Sequence, residues 1–213
     1  AAALLLFSPR FGLLIQMAWT EPFTILFLGA TVLSALRAPR WLPLALGLLL
    51  ATKQYLIFVV PLVWLLVPDR RRALSVLLQA LGVALLVTLP LALWKPAAFV
   101  RSAVTLQFRQ PFRPDALSVL VPLAKAGMPR ALGSILPLSL AALATLFTLR
   151  RCPRSPAGWA LAVAFVYLVF LAFNKQAFCN YYFFPLGALG AAIAAMDLRA
   201  ERDGGGGSPA SDP

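Results

Sequence analysis

The sequence predicts an all-α fold: a polytopic bundle of about seven transmembrane helices with a partial span before them. Three observations predict it. The 213 residues are 61% hydrophobic and only 12% charged, about half the charged share of a soluble domain. The mean hydropathy is +0.85. The Lys and Arg residues fall in short clusters between long apolar segments, the pattern of membrane anchoring. The net charge of +12 therefore does not point to nucleic acid.

The opening stretch, AAALLLF, has the composition of a span but not its length, since a crossing takes about 20 residues. It also lacks the basic flank and cleavage site of a secretory signal. It predicts at least one helix that begins upstream of Ala1. Apolar segments follow at roughly 20–36, 41–52, 54–67, 73–94, 131–149, 157–173 and 181–196. The strongly basic connections are RAPR (37–40), PDRRR (68–72) and RRCPR (150–154). Placing all three in the cytoplasm satisfies the positive-inside tendency, with Arg70, Arg71 and Arg72 as topology anchors.

That placement requires two crossings between Arg40 and Arg70. Residues 41–67 supply them only as two short helices of about 18–20 Å each, against a hydrocarbon core of about 30 Å. The pair is expected to meet short of the outer surface or to be re-entrant, with TKQY (52–55) at its apex. A single tilted helix over 41–67 is the alternative, and it would put RAPR and PDRRR on opposite sides. Segment 73–94 then leads outward, 95–130 forms a long outer segment, and 131–149, 157–173 and 181–196 alternate. Residues 1–196 make one transmembrane domain. The tail 197–213, rich in Gly, Ser and Pro, reads as disordered and cytoplasmic. No internal repeat suggests a transporter built from two halves.

This topology gathers the polar stretches WTEP (19–22), TKQY, 95–130 and NKQAFCNYY (174–182) on the outer face. The outer segment carries Lys95, Arg101, Arg109, Arg113, Lys125 and Arg130 against one acid, Asp115. Their interleaving with Phe99, Phe108 and Phe112 suits a segment lying at the lipid headgroups. Cys152 and Cys179 are separated by one span and are not expected to pair. The absence of His leaves no metal-ligand cluster, so a catalytic zinc or haem site is not expected.

GLLIQMAWTEPFTILFLGATVL, LALGLLLATKQYLIFVVPLVWLL, LQFRQPFRPDALSV and FNKQAFCNYYFF resemble bacterial integral-membrane glycosyltransferases of the GT-C superfamily. The branch they resemble lies near the polyprenyl-phosphate-mannose-dependent mannosyltransferases, and the similarity covers residues 5–196. The resemblance implies a helical bundle in a bacterial-type plasma membrane, with its active site open to the extracytoplasmic side. It implies a polyprenyl-phosphate sugar donor, with mannose as the candidate sugar, and a lipid, glycan or protein acceptor. The usual catalytic acid of that superfamily, in the first outer loop, falls upstream of Ala1. Within this sequence Glu21 and Asp115 are the candidate carboxylates on the outer face. No cofactor is predicted, and a divalent cation is left open.

The chemistry needs cations at the phosphate that departs and a carboxylate to deprotonate the acceptor hydroxyl. Lys53, Gln54, Tyr55, Arg109, Arg113 and Lys175 are the candidates for the lipid phosphate. Gln176, Asn180 and Tyr181 are the candidates for the sugar, because amides and aromatic faces match its hydroxyls and ring. Each has a plainer reading. Lys53 in an apolar run either snorkels, binds a phosphate or forms a structural ion pair. Glu21, after Thr20 and before Pro22, fits a capped helix start, a partner for a sugar or a site cation, or the base itself. Arg109 and Arg113 fit interfacial anchors, Asp115 a helix cap, and Tyr181 and Tyr182 an aromatic belt. A transporter or flippase of a lipid-linked or anionic solute is the rival function, and a membrane scaffold the third.

Overall fold

A computed structural model of the chain describes residues 11–127, 129 and 132–204. All regular structure among them is helical. The α-helices are α1 (Phe11–Gln16), α2 (Glu21–Arg37), α3 (Leu42–Thr52), α4 (Val59–Leu66), α5 (Arg70–Trp94), α6 (Pro96–Val100), α7 (Leu106–Arg109), α8 (Leu120–Lys125), α9 (Leu132–Arg151), α10 (Pro156–Ala172) and α11 (Phe183–Gly204). Short 3₁₀ turns occupy Pro39–Trp41 and Gln54–Phe58, and a π-helical turn occupies Arg101–Thr105.

Local chemistry sets several boundaries. Asp69 caps α5 by accepting from the Arg72 amide at 2.7 Å. Ser155 caps α10 by accepting from the Gly158 amide, with Pro156 in the first turn. The predicted apolar segments match the long helices within a few residues. In the outer segment 95–130, α6, the π turn and α7 make one nearly continuous helical stretch. One expectation is corrected. Residues 197–204 are not a disordered tail, because α11 runs on to Gly204. The reason is composition: DLRAERD contains good helix formers and follows an already formed helix. The partial span expected at residues 1–7 lies outside the described residues.

α10 lies at the centre of the bundle and packs against α9, α11, α4 and α2. Trp159 and Tyr167, both fully buried on it, and Phe184 on α11 are the largest side chains of the core. α11 returns against α2, and α2 is the antiparallel neighbour of α3. α3 lies on α5 at very short range, which requires glycine at one position. A Cβ on Gly47 would lie 2.6 Å from the Ala80 carbonyl oxygen and 2.6 Å from the Val83 Cβ.

Three sets of contacts fix the path between α3 and α5. Glu21 touches Lys53, so the start of α2 and the end of α3 share one end of the bundle. Tyr55 and Phe58 stack against Phe170, near the C-terminal end of α10, and α4 continues along α10. The helical stretch that follows α5 reaches back to that same end, where the Phe108 carbonyl accepts from Lys175 at 3.1 Å. α5 therefore runs parallel to α3, and the chain reverses at Lys53. Of the two sequence alternatives for 41–67, the structure has the reversed pair of short helices. The basic connections 37–40, 68–72 and 150–154 lie at the opposite end from Lys53.

Among the described residues one helix, α5, is long and apolar enough to cross a membrane, and little of it is buried. Leu85, Leu86, Leu91, Leu93 and Trp94 point away from the core. Residues 54–66, 156–172 and 183–198 are apolar but shorter. The all-α class holds, whereas one helix of spanning length among the described residues does not establish a bundle of about seven spans.

Candidate functional site

The site is built where the helices break. The Lys53 backbone is extended, at φ −153° and ψ 139°, between α3 and the 3₁₀ turn. This interruption frees its side chain to reach across to the first turn of α2, which is entered through Ala18 in the left-handed region at φ 51°. Lys53 Nζ donates to Glu21 Oε1 at 2.5 Å, and Asn180 Nδ2 donates to the same oxygen at 3.0 Å. The second carboxylate oxygen, Oε2, is buried and has no hydrogen-bond partner among the described residues. Glu21 is 1% exposed. Nζ also lies 5.1 Å from the centre of the Tyr181 ring and 5.7 Å from that of Tyr55, within range of a cation–π attraction.

Thr20 stands at the N-cap of α2 with Glu21 and Pro22 in the first turn, as the sequence suggests, but its side chain makes no capping bond. The ammonium of Lys53 and the amide of Asn180 draw the carboxylate inward. Of the three readings of Lys53, the structure shows the ion pair, with the side chain 14% exposed rather than snorkelling.

The neighbouring wall comes from residues 113–119, hydrogen-bonded alongside 172–182. Arg113 N–H donates to the Lys175 carbonyl, Leu117 N–H to that of Ala177, and Val119 N–H to that of Ala172. The Tyr182 hydroxyl donates to the Leu117 carbonyl. The Arg113 guanidinium grips Asp115 in a fork, with Nε to Oδ1 at 3.0 Å and Nη2 to Oδ2 at 3.1 Å. Its Cζ lies 5.2 Å over the Phe178 ring. The bond to Arg113 holds the Asp115 carboxyl below the usual carboxylate range, and the same bond raises the guanidinium. Asp115 is thus no helix cap. Val119 stands at the N-cap of α8, and Ser118 before it accepts from the Leu120 amide and donates to the Ala172 carbonyl.

These groups line an open polar cavity of about 730 Å³, together with Trp19, Glu21, Lys53 and Asn180 among others. A second cavity of about 380 Å³ lies beside it. Val104, Phe108, Pro137 and Phe170 give it apolar walls, and Gln54, Lys175 and Gln176 add polar groups. Lys175 and Gln176 are anchored to the outer segment, donating to the carbonyls of Phe108 and Pro111. Burial lowers the Lys175 ammonium pKa. Tyr181 lines both cavities.

The structure therefore divides the predicted residues into two groups. Glu21, Lys53, Arg113, Asp115, Asn180 and Tyr181 share the polar cavity, and Gln54, Tyr55, Lys175, Gln176 and Tyr181 the apolar one. Arg109, at the end of α7, lines neither. Sequence reasoning misses Trp19 and Phe178 on the polar wall, although both lie inside stretches it marks as unusual. It also misses Tyr167, whose hydroxyl donates to the Tyr55 carbonyl at 2.9 Å and braces the reversal. Nothing in its local sequence distinguishes Tyr167 from an ordinary core aromatic. Among the described residues no group of His, Cys, Asp or Glu is placed to hold a metal ion. No family model, curated protein or solved structure matches this chain.

Proposed function

We propose that this chain carries the site of a membrane glycosyltransferase. It moves a sugar, with mannose as the candidate hexose, from a polyprenyl-phosphate carrier to an acceptor on the extracytoplasmic face. The observation that carries this reading is the junction of the two cavities at Tyr181. A lipid-linked sugar is apolar at one end and polyhydroxylated at the other, and adjoining apolar and polar cavities match those two parts. The exposed apolar surface of α5 and the basic clusters at the opposite end support insertion with that end in the cytoplasm.

As the bond between sugar and phosphate breaks, negative charge grows on the departing polyprenyl phosphate. A cation fixed near that phosphate lowers the barrier only if it acts more strongly on the transition state than on the bound donor. Lys175 is the best-placed cation, on the wall of the apolar cavity with Gln54 and Gln176 beside it. Arg109 lines neither cavity and has no part in this scheme. The acceptor is a lipid, glycan or protein hydroxyl.

The test uses the chain in lipid nanodiscs with radiolabelled polyprenyl-phosphate mannose and an envelope lipid extract as acceptor. Sugar transfer that Lys175→Ala slows by about 10-fold, equivalent to about 1.4 kcal/mol, supports the reading. Donor that neither binds nor reacts overturns it. Donor that crosses the bilayer intact would replace it with a flippase.

A further inference from the structure

Among the described residues, both cations on the wall of the polar cavity have carboxylate partners: Lys53 has Glu21, and Arg113 has Asp115. These two positive and two negative charges cancel and give no preference for an anion. Of the buried side-chain atoms without a partner among the described residues, the one on a residue lining this cavity is Glu21 Oε2, in a residue 1% exposed. Such an oxygen calls for an O–H or N–H group from the occupant. A phosphate would bring further acceptors and negative charge to an oxygen that already carries both. A hydroxyl supplies the missing donor at no charge. The surrounding groups fit a ring that bears several hydroxyls, with the Asn180 amide at 3.0 Å from the carboxylate and the Trp19 and Tyr181 side chains on the cavity wall.

We infer that the polar cavity is a subsite for a neutral sugar ring, docked by a hydroxyl that donates to Glu21 Oε2. Lys53 is a positioning residue that fixes this carboxylate through Oε1; it is not a ligand of the lipid phosphate. The inference rests on the glycosyl-transfer reading for its choice of a sugar among neutral polyols. It does not need transfer to be observed.

Binding is measured on the full chain in a sugar-free detergent by saturation-transfer NMR, with methyl α-mannoside as the probe and inorganic phosphate as the competitor. The expected result is saturable binding of the glycoside, insensitive to salt, that inorganic phosphate does not displace. Glu21→Gln alone leaves Lys53 buried without its counter-charge. The neutral pair Glu21→Gln/Lys53→Met is therefore tested beside it and is expected to bind the glycoside about 10-fold more weakly. Displacement of the glycoside by inorganic phosphate overturns the inference, as does a folded double variant with wild-type affinity, or no saturable binding of the glycoside. A chain that binds the glycoside but transfers nothing from a bound donor keeps the subsite and loses the proposed reaction. A chain that transfers sugar with an unchanged acceptor KM and donor KM in the double variant loses only the subsite.

Discussion

Lys53–Glu21 and Arg113–Asp115 face the same cavity, but their settings differ. The side chains of the first pair are 14% and 1% exposed, and those of the second 49% and 59%. Burial makes each partner in the first pair depend on the other, because Glu21 is shut off from water and Lys53 keeps little contact with it. Exposure makes the second pair replaceable by solvent, although its forked geometry is the more regular. The first pair thus fixes the site, while the second shapes its rim.

The largest predicted effect comes from breaking the buried pair on one side. Lys53→Met or Glu21→Gln is expected to destabilise the folded chain by about 3–5 kcal/mol, because a lone buried charge remains. Thermal unfolding in detergent measures it, and the neutral double variant should recover most of the loss. A double variant as unstable as the sum of the singles would show that the two residues act independently.

Helix packing behind the pair gives the next effect. Gly47→Ala places a Cβ 2.6 Å from the Ala80 carbonyl oxygen and should cost about 1–3 kcal/mol by forcing α3 from α5. Gly82→Ala, on the same α5, meets nothing within 4 Å and should stabilise by up to about 1 kcal/mol through helix propensity. Opposite signs at the two glycines would locate the α3–α5 contact; equal signs would displace it. Tyr167→Phe removes the donor to the Tyr55 carbonyl and is expected to cost about 1 kcal/mol, again by thermal unfolding.

The exposed pair gives the smallest effect. Because the native Asp115 pKa is lowered by Arg113, its contribution is present above the unfolded value of about 3.9 and fades as pH falls through the lower native value. Asp115→Asn should therefore change stability little at neutral pH, and any difference should shrink with added salt and vanish in acid. A loss at neutral pH comparable with Lys53→Met would abolish the contrast between the pairs.

Much of the site is legible in the amino-acid order alone. Lys53, Gln54 and Tyr55 stand out because polar groups inside an apolar run are costly, and the amides of 174–182 stand out for the same reason. That cost marks unusual residues but not their partners. It singles out Arg109 beside Arg113, although only Arg113 meets a carboxylate on the cavity wall. It favours snorkelling or a phosphate for Lys53 over the ion pair that forms, and it passes over Trp19 and Tyr167.

The helical class, the order and approximate limits of the long helices, and the polar breaks between them are all written along the chain. These are local properties, set by the hydropathy of neighbouring residues and by the turn and capping chemistry at each boundary. Packing alone makes the chain reverse at Lys53, joins the polar stretches into two adjoining cavities, and leaves Glu21 with one oxygen unmatched. Lys53 meets Glu21 across 32 residues and Asn180 meets it across 159. A charge is neutralised by whichever group the packed helices bring within about 3 Å, and separation along the chain does not determine that distance.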